Sequence, residues 1–188
     1  MGKFKLLSFL LGLVLFISCS KDETNHQQKI DDQIIGEINY VNYAWGPQVY
    51  NLYFTADRKI HIYNLIGQTD EISFKLTNDE GILRLTDAEE NLSFSIADDE
   101  LIEEDDLDKI LNAIGTISED LSERESTCFD AGITTFSVYK YIEEDEYYKR
   151  TILKECGDWS TMNKNTGAQE LVDILLKYVE KENLVCCF

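Results

Sequence analysis

The side chains able to do acid–base or metal chemistry are few in kind. The 188 residues hold two histidines, five cysteines and 36 acids. His26 sits in a polar stretch, so a nucleophile–base pair would have to be built on His61. His61 alternates with Ile60 and Ile62, whose side chains take the other side of a strand, so it reads as a solvent-facing or satisfied structural residue. Between Asp98 and Asp108 eight of eleven residues are acidic, a composition with affinity for hard cations. The run has no Gly and is broken by Leu101 and Ile102, which is not the alternation of a calcium loop. Glu103 to Asp106 instead suit the first turn of a helix, where negative charge complements the macrodipole. No Cys-x-x-Cys, His-Glu-x-x-His, Gly-x-Ser-x-Gly or glycine-rich phosphate loop is present, so neither a metal nor a cofactor is expected, and no catalytic residue is assigned. Paired carboxylates of the kind that cleave glycosides keep a hydrolase as the alternative.

Aromatic residues offer binding chemistry instead. Tyr40, Tyr43, Trp45, Tyr50, Tyr53 and Tyr63 crowd one stretch, and most are expected to pack a sheet face. Trp45 abuts Gly46-Pro47 at a strand end, and Trp159 opens a polar loop running to Asn165. These two are the candidate contacts for a glycan or protein partner. Four cysteines follow the N-terminal region: Cys128, Cys156, Cys186 and Cys187. Two readings stand, disulfides that staple the C-terminal Cys-Cys-Phe segment to the body, or four buried thiols acting as small hydrophobes. The net charge of −19 repels phosphate backbones, which excludes nucleic acid as a partner.

The N-terminus carries an address. Lys3 and Lys5 precede an apolar run of twelve residues, Leu6 to Ile17, the pattern of an export signal and shorter than the roughly 20 residues of a membrane span. Phe16-Ile17-Ser18-Cys19 resembles the lipobox of bacterial lipoproteins, although that family prefers Leu where Phe16 stands and Ala or Ser where Ile17 stands. The resemblance implies cleavage before Cys19 and a diacylglyceryl group, with palmitate-type chains, on its thiol. Cys19-Ser20-Lys21-Asp22-Glu23 looks like the surface-export signal of Bacteroidota lipoproteins, with Lys21, Asp22 and Glu23 as its defining residues. An outer-membrane lipoprotein, displayed at the surface or facing the periplasm, is what these 23 residues imply. The organisation that follows is a signal peptide at 1–18, a lipidated flexible tether at 19–32 and a single globular domain at 33–188.

The domain reads as α+β. Strands rich in Tyr, Val, Ile and Phe group at about 37–65 and 133–155, and amphipathic helices at about 104–114 and 167–182 pack together on one face of the sheet. Gly115 is read as a left-handed helix stop. Thr86-Asp87-Ala88-Glu89 and Thr166-Gly167-Ala168-Gln169 are read as capping boxes. From Gln68 to Ile96 the chain supports both helix and strand. Tyr40 to Gly46 followed by paired strands resembles small exported bacterial proteins without an assigned activity. The functional expectation is a non-catalytic binding or interaction module, with a carboxylate-based hydrolase as the alternative.

Overall fold

The computed structural model describes residues 33–44, 48–66 and 74–179. The segment expected to be a signal, the residues expected to carry lipid and direct export (Cys19, Lys21, Asp22 and Glu23), Trp45, Cys186 and Cys187 lie outside the described residues. The described residues belong to one compact unit.

Among the described residues nine strands make one antiparallel sheet. The opening meander is β1 (Ile34–Asn42), β2 (Gln48–Thr55) and β3 (Lys59–Asn64). Its second turn closes on a hydrogen bond from the Arg58 amide to the Thr55 carbonyl at 2.9 Å. Then come β4 (Ile82–Arg84), helix α1 (Leu85–Phe94), β5 (Ile96–Leu101) and helix α2 (Glu104–Ile114). A two-residue β6 (Glu125–Ser126) precedes the long hairpin of β7 (Ile133–Ile142) and β8 (Tyr147–Gly157), and β9 (Trp159–Met162) and helix α3 (Ala168–Lys177) are the last elements among the described residues. The order across the sheet is β5-β3-β2-β1-β7-β8-β9-β6, with β4 also on β8. The early and late strands therefore meet at β1, which pairs with β2 on one side and β7 on the other.

Both faces of the sheet are covered, which explains why β2 is buried along nearly its whole length. One face carries Ile38, Tyr40, Leu52, Phe54, Phe136 and Leu153 and packs against Ile110 of α2 and Leu171, Val172 and Leu175 of α3. The other carries Tyr53, Tyr63, Tyr139 and Tyr148 and packs against Phe74, Leu83 of β4 and Ala88 of α1. Helices α2 and α3 thus share one face, and α1 lies against the other.

Local expectations differ from the structure in four places. Helix α1 starts two residues earlier than its Thr86 capping box requires, with Arg84 at the N-cap and no side-chain cap. Gly167, left-handed at φ 96°, occupies the N-cap of α3, so Thr166 does not cap it either, and α3 itself ends at Lys177. Gly115 closes α2 in the right-handed region at φ −79°. The polar segment after Gly157 forms β9 rather than a loop, because its backbone finds partners in β8 and β6. Among the described residues, no helix is long and apolar enough to cross a membrane.

Candidate functional site

At one end of the sheet three chain segments close on one another: residues 42–44 at the end of β1, residues 127–132 before β7, and the turn from β8 to β9. Gly132 (φ +74°) lies so near β1 that a Cβ there would sit 2.6 Å from the Val41 carbonyl oxygen, and one on Gly157 (φ +140°) would sit 2.0 Å from the Gly132 carbonyl oxygen. Only glycine fits this approach. Polar groups lock the contact. Asn42 Nδ2 donates to the Asp130 carbonyl at 3.1 Å, Tyr40 donates to the Ala131 carbonyl at 3.2 Å, and the Ala131 amide donates to Asp158 Oδ1 at 2.8 Å. The Thr127 hydroxyl donates to the Gly157 carbonyl, and the Thr127 amide to the Asp158 carbonyl. Cys128 and Cys156 are both disulfide-bonded.

Two rings stand out of this locked end. Phe129 is 92% exposed and Tyr43 is 61% exposed. They flank the Asn42–Asp130 hydrogen bond, one on each side in sequence. Loops fixed by a rigid scaffold are favoured sites of recognition, and a bare phenylalanine at such a point loses nothing by meeting a partner.

Trp159 belongs to the same end but is engaged within the protein. Its Nε1 donates to Glu155 Oε2 at 3.0 Å, and the Arg124 guanidinium stacks 4.6 Å from its ring centroid while reaching the same carboxylate oxygen at 3.3 Å. The tryptophan therefore fastens β6 to β8 and β9. Of the tyrosines in the meander, Tyr40, Tyr50, Tyr53 and Tyr63 are buried and only Tyr43 projects.

Two carboxylates are buried elsewhere. Glu37, on β1, accepts a 2.7 Å hydrogen bond from Tyr139 and another from Tyr53, whose hydroxyl oxygen accepts in turn from Asn91 at 2.9 Å. Burial raises the Glu37 carboxyl above its ordinary value, and the charge of Arg150 and the two tyrosine hydroxyls offset only part of that. Asp106, on the inner side of α2, takes both of its oxygens to Lys177 Nζ at 2.9 Å and accepts from Tyr178 at 2.8 Å. Burial pushes Asp106 up, but the hydrogen bonds from Lys177 and Tyr178 outweigh it and the carboxyl lies below its ordinary value. Tyr178, buried beside that carboxylate, is pushed up to about 12. At 3% and 1% exposure Glu37 and Asp106 do not reach a substrate.

An open cleft of about 480 Å³ lies between α3 and β5, with Tyr50, Leu52 and Ile62 beneath it and Asn64, Asp98 and Glu100 on one wall. Its two carboxylates come from one strand, two residues apart. Glycoside cleavage needs carboxyls on opposite sides of the scissile bond, which this wall does not supply. His61 stands on β3 with its Nδ1 3.1 Å from Ser95 Oγ. Among the described residues, no group of three or more His, Cys, Asp or Glu side chains is placed to hold a metal ion.

Sequence reasoning did not single out Phe129. Its signal, a large apolar residue in a polar segment directly after Cys128, is legible only once the neighbouring loops are known to leave it uncovered. No protein-family model, curated protein or solved structure matches this chain.

Proposed function

We propose that the protein is a bacterial lipoprotein, anchored in the outer membrane through Cys19 and exported by Lys21-Asp22-Glu23, whose domain is a non-catalytic module that binds a protein or glycan at the cell surface. The observation that carries the binding role is the exposed pair Phe129 and Tyr43 on a hydrogen-bonded loop end. The buried carboxylates are committed to internal partners, and the cleft acids share one wall, so the geometry favours contact over chemistry. Trp45 remains a candidate beside Tyr43 in sequence, whereas Trp159 supports the loop end from within.

The anchor is tested by Cys19→Ala, which leaves an uncleaved or released form while the wild type partitions into detergent. A wild type recovered in the aqueous phase and cleaved elsewhere overturns the anchor. For export, protease added to intact cells removes the wild-type domain and spares a variant with alanines at 21–23; equal protection of both overturns surface display. The module itself is tested on a glycan array and by pull-down against surface extracts, comparing wild type with Phe129→Ala and Tyr43→Ala. Loss of binding in the ring variants supports the site. Hydrolysis of an arrayed glycan that disappears in Asp98→Asn or Glu100→Gln replaces this reading with the hydrolase.

A further inference from the structure

We infer that the loop end docks on a folded protein, with Phe129 inserted into an apolar pocket of that partner and the pocket rimmed by lysine or arginine. The inference rests on the binding-module reading and chooses between its two partner classes.

Shape makes the first selection. Sites for small molecules and single sugars are concave and enclose most of the ligand's surface. Phe129 is the reverse, a side chain 92% exposed whose supports, Asn42, Ala131 and Asp158, all hold the backbone beneath it. It contributes to neither the cleft between α3 and β5 nor the shallow one beside β4. A sugar stacked on this ring would keep its other face in water. The concavity must come from the partner, and a preformed apolar pocket is a property of a folded protein. Aromatic anchors filling such pockets dominate the energetics of protein interfaces.

Preorganisation makes the second. The ring projects from a segment already fixed by Gly132 and Gly157, by hydrogen bonds to two other loops, and by the disulfide at Cys128. Docking it therefore costs little loop entropy, which is what a plug requires.

Charge makes the third. Asp130 follows the ring directly, and Glu123 and Glu125 precede it in sequence, just before and within β6, all three exposed. The cation in this stretch, Arg124, is engaged by Glu155 and Trp159. A second copy of this chain, an acidic polysaccharide or an anionic membrane would meet like charge here. A pocket bordered by Lys or Arg meets opposite charge.

The test uses the full-length protein in its producing cells, with Phe129 replaced by the photo-crosslinker p-benzoylphenylalanine and, as a control, the same replacement at exposed Asn112 on α2. After irradiation of intact cells, the expected result is a protein adduct at 129 that is absent at 112. Its cross-linked peptide lies in an apolar pocket with Lys or Arg at the rim. Adduct yield is expected to fall several-fold between about 50 and 300 mM salt, as screening shortens the reach of the rim charges, and to fall likewise when Asp130→Lys is added. A glycan or lipid adduct, an adduct to a second copy of this chain, or a partner peptide without basic neighbours overturns the inference while leaving a binding module in place. No adduct at 129 overturns the inference and the binding role together.

Discussion

Glu37 and Asp106 are both carboxylates with almost no exposure to water, yet their proton affinities move in opposite directions. Glu37 lies in the tyrosine-rich face, where its hydrogen-bond donors are the neutral hydroxyls of Tyr139 and Tyr53. Those donors lower the cost of the buried charge without cancelling it. Asp106 lies at the rim of the other face, where Lys177 brings a full positive charge while about half of its own side chain stays in water. The lysine gives up little hydration to hold the aspartate, so attraction wins. Which element carries the partner, and how near it sits to solvent, decides the outcome more than burial of the acid itself.

The comparison can be broken first through Asn91. This fully buried side chain on α1 accepts from the Lys75 amide and donates to the Lys75 carbonyl and to Tyr53, all within 2.9 Å. Asn91→Ala strands those groups and is expected to cost about 3 kcal/mol in denaturant unfolding. It should also disturb Glu37 through Tyr53, while leaving the acid limb set by Asp106 in place.

Asp106→Asn removes the charge-assisted bonds to Lys177 and is expected to cost about 2 kcal/mol near neutrality. Because the folded carboxyl is lowered, its contribution is present above the unfolded value, near 4, and is lost as pH falls through the folded value. Wild type and variant should therefore converge on acidification. A constant gap down to pH 2 would contradict the assignment.

Tyr178→Phe deletes one hydroxyl that both donates to Asp106 and accepts from the Glu103 amide at 2.9 Å, a loss of about 1 kcal/mol. The tyrosine is pushed up to about 12, so wild-type stability contributed by its neutral form is lost as pH rises from about 10 toward that value. Unfolding midpoints measured between pH 9 and 11 should show the wild type losing ground to the phenylalanine variant.

Glu37→Gln is the smallest change at neutral pH, since it keeps an acceptor for Tyr139 and trades relief from burying a charge against loss of attraction to Arg150. Its sign with pH is the sharper readout. The folded Glu37 value is raised, so the neutral acid contributes fully below the unfolded value and that contribution disappears as pH climbs through the folded one. As pH rises above the unfolded value, near 4.5, the wild type should lose stability relative to Glu37→Gln, opposite to the behaviour at Asp106. Parallel curves would mean that Glu37 stays ionised throughout.

Much of the frame was legible in the sequence. The i, i+3, i+4, i+7 spacing of Leu107, Ile110, Leu111 and Ile114 foretold α2, and short-range alternation foretold the meander and the β7–β8 hairpin, because periodicity records which face of an element is wet. Cap chemistry was less legible. Thr86 and Thr166 have the residue types of helix starts, but strand pairing into Arg84 and the left-handed turn at Gly167 set where those helices begin. The strand after Gly157 escaped notice because its Ser and Thr side chains are polar while its backbone pairing is non-local.

Sequence alone determined the acidic charge, the α+β composition of elements and the crowding of tyrosines into the first meander, all of which depend on residue type or short spacing. Tertiary structure alone decided that α1 lies against the face opposite α2 and α3, that Trp159 is held by Arg124 and Glu155, that Asp106 leaves the acidic run to meet Lys177, and that Phe129 is left bare. The reason is distance along the chain. Asp106 finds its partners 71 and 72 residues away, and the Asn42 side chain that holds the Phe129 loop reaches across 88 residues. Contacts of that separation arise only when the sheet brings the segments together.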